Sequence, residues 1–191
     1  MNNGKAQRRL LCQRTRLRTL RSFQEVVDVP LVARRSTRHR DAILRMAGID
    51  AGDARPRVLV GLRNTLPDST LGAAARSGSE FVFVVTRPVP GVGCENLRAV
   101  QLSPMLSFID LLSVCDATVC KLGYGMLADC ISCNTAILFP PRRDFREDEV
   151  LRPAADRWTR SLEVPVDVTS AEVTGVPIWS GWSRSRCREI S

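Results

Sequence analysis

The run Asp116-Ala-Thr-Val-Cys-Lys-Leu-Gly-Tyr-Gly-Met-Leu-Ala-Asp129 constrains the fold more than any other part of the chain. Its β-branched, apolar start reads as a strand, Gly123 and Gly125 as a turn, and the residues beyond as a helix. A strand that stops at glycines and restarts with helix formers leaves bare backbone N–H groups at a helix N-terminus, where an anionic phosphate can approach closely. The turn is therefore a candidate site for a nucleotide or nucleotide-sugar.

A second unit of the same kind follows. Ala136 to Phe139 reads as a strand, Pro140 and Pro141 end it, and Arg142 to Glu147 forms a turn leading into a charged helix. Two consecutive strand-turn-helix units imply a parallel sheet. In such sheets ligands sit beyond the carboxyl ends of the strands, and both turns belong to that edge. One ligand could touch both.

Upstream, the same alternation continues. A helix is predicted over 41–48, ending at glycine, and a strand over 58–62. An alanine-rich helix lies within 64–78, opened by a cap-like Asp68-Ser69-Thr70, and the clearest strand of all spans 80–86. A short strand over 97–102, a helix over 107–114, a strand over 117–121, and helices over 125–134 and 145–158 complete the pattern. The fold class expected is α/β, a single Rossmann-like domain over 23–163 with a mostly parallel sheet of about five strands. Residues 1–22 form a basic arm and 164–191 an irregular tail, in which 164–168 is a candidate edge strand. With 44% hydrophobic and 25% charged residues, 191 residues suffice for one core.

Charge is concentrated at one end. Residues 1–40 carry eleven Lys or Arg against Glu25 and Asp28, a net +9, so a total of +8 leaves the remainder near −1. The arm can be a solvated lead-in, a patch attracted to anionic lipid or nucleic acid, or an Arg-rich targeting presequence. Nucleic-acid binding is disfavoured by the lack of aromatics interleaved with the arginines, Tyr124 being the sole tyrosine. No window matches a transmembrane helix or a signal peptide, and seven cysteines without a regular framework point to reduced thiols in the cytoplasm. Cys130 and Cys133 form a Cys-x-x-Cys inside the predicted helix. Buried helix cysteines are expected there rather than a metal or redox site.

The stretch from Leu111 to Leu151, with its Cys-Asp-Ala-Thr-Val-Cys-Lys, Gly-Tyr-Gly and Arg-Arg-Asp-Phe-Arg-Glu elements, resembles the carboxy-terminal, donor-binding half of GT-B glycosyltransferases. It is similar to the cell-wall N-acetylglucosaminyl transferase group and to the glycosyltransferase-like region of arabinokinases. A weaker likeness reaches back to Phe23 and forward to Trp158. The resemblance implies that the amides of the Gly123-Tyr124-Gly125-Met126 turn face a donor diphosphate. It places Asp129 where relatives carry a glutamate that binds ribose hydroxyls, with one methylene less reach and weaker donor binding expected. Arg143, Asp144, Phe145 and Glu147 match positions that border the donor sugar, with Arg143 able to neutralise phosphate. At the exit of the first strand, Gly61 and Arg63 stand where relatives carry a serine and paired glycines.

Plainer readings of the same residues stay open. Asp129 can be an ordinary helix acid, the glycines a tight turn, and Asp144 a helix cap. The function implied is glycosyl transfer from a nucleotide-sugar, with no metal or other cofactor. A GT-B enzyme needs two Rossmann-like domains and this chain has room for one, so the acceptor half is expected from a second chain. An anionic membrane surface, met through the basic arm, is a further expected partner. A non-catalytic nucleotide-binding subunit is the alternative, and a basic nucleic-acid-binding protein a third. The polar start and patternless end would equally suit a truncated reading frame.

Overall fold

Short runs of branched and aromatic residues, bounded by Gly, Pro and Asp, alternate with amphipathic segments, and this alternation builds a parallel sheet with helical crossovers. A computed structural model describes residues 31–62, 66–91, 93–142 and 145–164. In chain order the elements are α1 (Arg40–Met46), β1 (Arg57–Val60), α2 (Asp68–Ser77), β2 (Val82–Val85), β3 (Leu97–Ala99), α3 (Phe108–Val114), β4 (Ala117–Val119), α4 (Tyr124–Cys133), β5 (Ala136–Phe139), α5 (Asp148–Trp158) and β6 (Ser161–Glu163). The six strands lie in the order β3-β2-β1-β4-β5-β6, and every neighbouring pair is parallel. That is the Rossmann order, with its topological switch between β1 and β4.

The four central strands, β1, β2, β4 and β5, are buried on both faces, as a helix-covered parallel sheet requires. Leu59, Val84, Ile137 and Phe139 share one cluster with Leu111 and Leu112 of α3, Leu127 of α4 and Leu151 of α5. Val58, Val60, Phe83, Val85 and Leu138 share the other with Leu71 and Ala75 of α2. Several buried polar groups are satisfied in ways that fix the layers. Thr118 donates to the Leu59 carbonyl across the β1–β4 seam, at 2.9 Å. The Asn96 amide donates to the carbonyls of Ala75, Gly78 and Phe81, tying the end of α2 to the sheet. Ser107 and Asp110 close a capping box on α3. Helix α4 ends at Asn134 in the left-handed conformation, φ 55°, a role Asn tolerates.

Several expectations shift. The sheet has six strands rather than five. The sixth is Ser161–Glu163, ahead of the expected 164–168, of which 165–168 lie outside the described residues. Its three half-exposed or exposed residues carry too little apolar signal to be read as a strand. Helix α5 starts at Asp148, three residues later than predicted, because Phe145 and the two residues after it form a turn. The Asp68-Ser69-Thr70 segment lies inside α2, whose cap position is Pro67 without a side-chain cap. Among the described residues, no helix is long and apolar enough to cross a membrane.

Candidate functional site at the carboxyl edge of the sheet

The two turns singled out by sequence meet in space. The turn before α4 and the turn before α5 both follow strands at their carboxyl ends, and Arg142 joins them. Its guanidinium donates to the Leu122 carbonyl at 2.5 Å, pairs with Asp148 in the first turn of α5, and stacks 3.6 Å over the Phe145 ring. Asp148 is buried, so Arg142 is its charge partner as well as the link between turns. Sequence reading placed Arg142 in the second turn without giving it this role. Its position directly after the Pro140-Pro141 stop was the available signal.

The amino end of α4 has no acid of its own. Helices α1, α2, α3 and α5 each carry an acidic residue in the first turn, namely Asp41, Asp68, Asp110 and Asp148 with Glu149. Helix α4 has neither a first-turn acid nor a side-chain cap, and Gly123 occupies its cap position in an extended conformation. Its first N–H groups therefore keep the partial positive charge of a helix start. A Cβ built on Gly123 or Gly125 would meet no atom within 4 Å. Among the described residues, nothing requires glycine at either position.

The remaining predicted residues divide. Tyr124 is half-buried, and it and Met126 pack against the helix-side cluster. Phe145 is exposed, and Glu147 holds the cap position of α5 without a side-chain cap bond. Phe145, with Arg142, Arg146, Asp148, Glu149 and Arg152, lines an open groove of about 570 Å³. Arg63, Arg143 and Asp144 lie outside the described residues. Gly61 is packed in. A Cβ there would come within 3.3 Å of Cys120 and 3.4 Å of both the Phe108 ring and the Val119 carbonyl.

Asp129 is not an open helix acid. It is 2% exposed, and Arg34 supplies three hydrogen bonds to its carboxylate. The Arg34 backbone N–H donates to Oδ1 at 2.8 Å, while Nε and Nη2 donate to Oδ2 at 2.9 and 2.5 Å. The partners are 95 residues apart, and no local pattern pairs them beyond the arginine-rich arm itself. Alongside, Arg35 donates to Ser132, Ser36 donates to Asp110 at 2.5 Å, and Arg38 lies 3.7 Å from the same carboxylate. Burial alone would raise the Asp110 pKa, but hydrogen bonds from Ser36 and Ser107, with Arg38 nearby, hold it below the ordinary carboxylate value.

The buried thiols among the described residues are quiet. Burial pushes Cys115 and Cys120 up to about 12 and raises Cys130 further, so the thiolate form is suppressed. Cys130 is buried and Cys133 half-buried. Among the described residues, no group of three or more His, Cys, Asp or Glu is placed to hold a metal ion.

The fold and this edge define a Rossmann-like α/β domain with an uncapped, acid-free helix start beside its switch point. No protein-family profile matches the chain, and no curated protein is significantly similar to it. Solved structures with a partial likeness include the glycosyltransferase VinC in complex with DTDP, at 24% identity and TM-score 0.47, covering 62% of this chain and 31% of that one. The glycosyltransferase of kitacinnamycin aligns at 14% identity and TM-score 0.47, covering 70% and 35%. SnogD, a glycosyltransferase from Streptomyces nogalater, aligns at 22% identity and TM-score 0.38, covering 60% and 32%. The chain spans about a third of the length of these structures. At TM-scores below 0.5, none of these likenesses speaks to what it does.

Proposed function

We propose that the chain is the donor-binding half of a GT-B-type glycosyltransferase, holding a nucleotide-sugar by its diphosphate at the amino end of α4. The observation that carries this reading is the bare, acid-free start of α4, opened by glycines that no internal contact requires. The Arg142 bridge supports it by drawing the second turn, with its arginine-rich groove, to the same edge. In glycosyl transfer those amides would stabilise the diphosphate as it leaves with negative charge, without a metal ion. The groove beside Phe145 and Glu149 would receive the sugar. The acceptor site and a general base would lie outside this domain, so these 191 residues by themselves would bind donor without turning it over.

The test is calorimetric titration with UDP of the wild type and Gly123→Asp. The extended backbone and open space at residue 123 suit an N-cap aspartate, so the variant should melt no lower than the wild type. The added carboxylate occupies the amides and repels phosphate, and UDP affinity should fall by about tenfold or more, roughly 1.4 kcal/mol. A wild type that ignores millimolar UDP, or a variant that binds it undiminished, would end this reading.

A further inference from the structure

Residues 31–38 run as an irregular strap over α3 and α4. Its hold is mostly polar: Arg34 on Asp129, Arg35 on Ser132, Ser36 and Arg38 on Asp110. Leu31 alone among its apolar side chains packs against the core, while Val32 is 81% exposed. The asymmetry at the principal contact is large. Arg34's side chain is 62% exposed and Asp129's 2%, so the basic partner lies on the outside and covers a buried acid. A segment with few buried apolar contacts belongs to the low-stability end of a fold and opens without unfolding the rest.

We propose that this strap is an intrachain competitor for the nucleotide site, with Arg34 occupying the carboxylate that a ribose diol would otherwise engage. This rests on the donor-binding reading above, extended to Asp129, which stands one helical turn beyond Gly125 on the same face of α4, as the acid that meets the ribose. A carboxylate has about four acceptor positions, and Arg34 fills three of them on a side chain that is almost wholly enclosed. A diol cannot be served while the strap is closed. Donor binding and strap closure therefore exclude each other, and the strap's equilibrium sets the apparent affinity. If it is closed in about nine molecules of ten, the measured affinity is about tenfold weaker than the open site's. Anything that draws the basic residues of the strap elsewhere, such as an anionic surface, would raise donor affinity.

The experiment uses the full chain, with UDP as the probe. Arg34→Gln removes the charge and two of the three hydrogen bonds while the backbone N–H remains. It should tighten UDP binding about tenfold, and Asp129→Asn added to it should abolish the gain. In the wild type, saturating UDP should speed hydrogen exchange at the Arg34 amide. That exchange measurement stands even if the variant folds poorly. UDP bound equally or more weakly by a folded Arg34→Gln, or bound by the wild type with Arg34 exchange unchanged, overturns the strap as competitor and leaves the donor site standing. Absence of UDP binding in every form overturns both.

Discussion

Gly61 and Gly123 follow adjacent parallel strands at the centre of the sheet, yet they are glycines for opposite reasons. Beyond β1, a side chain at 61 would press on Cys120, Phe108 and the Val119 carbonyl, so the interior sets the residue. Beyond β4, a side chain at 123 or 125 would point into open space, with no positive φ at either position. In sequence the two places look alike, a glycine after an apolar run. Structure separates a glycine demanded by packing from one that no described residue demands. Only the second kind argues for a ligand, which is why the proposal rests on the α4 turn and not on Gly61.

The contrast breaks most sharply at Gly61. Valine there would force apart groups already in contact, and overpacking of this kind costs about 1–3 kcal/mol. For a chain of this size the melting temperature should fall by roughly 2–4 °C per kcal/mol. Calorimetry of Gly61→Val showing an unchanged melting point would mean that the β1–β4 seam has slack and that the two glycines are not different in kind.

Gly125→Ala is the converse and carries a smaller effect. The position is exposed, helical and unobstructed. Alanine is favoured over glycine in a helix by up to about 1 kcal/mol, less near an end. The unliganded variant should therefore melt slightly higher than the wild type. A lower melting point would show that the domain itself needs the bare backbone, and the case for an external partner would weaken.

Much of this edge was legible in the sequence because its signals are local. The β4–turn–α4 unit and the β5 strand fall where apolar runs, glycines and prolines put them, and the parallel order follows from their alternation. Strand β6 was misplaced because a three-residue edge strand with one apolar side chain has no period to detect. Helix α5 starts three residues beyond its sequence signal because Phe145, Arg146 and Glu147 are compatible with a helix but form a turn in which Arg142 stacks on Phe145. The Arg34–Asp129 contact was out of reach, since no local pattern links residues 95 apart. Arginines 34, 35 and 38 entered the charge count as part of a basic arm. In the fold Arg34 and Arg38 meet carboxylates on α4 and α3, while Arg35 bonds the neutral Ser132.

The smallest effect expected concerns how the strap and the helical layer share one acid. Asp110 closes the capping box of α3 through Ser107 and also receives Ser36 from the strap. Its folded pKa lies below the ordinary value, burial being outweighed by those hydrogen bonds and by Arg38. A group depressed in this way adds stability that is fully present above its unfolded pKa of about 3.9. That stability is lost as pH falls through the folded value. Between pH 6 and 5 the contribution should be constant, and below about 4 the α3 cap and the strap should loosen together. Thermal melts of the wild type and Asp110→Asn across this range test it. The variant should start less stable and lose less on acidification, so that the two curves converge. Parallel curves would show that Asp110 titrates as it does in the unfolded chain, and that the strap's attachment to α3 does not depend on its charge.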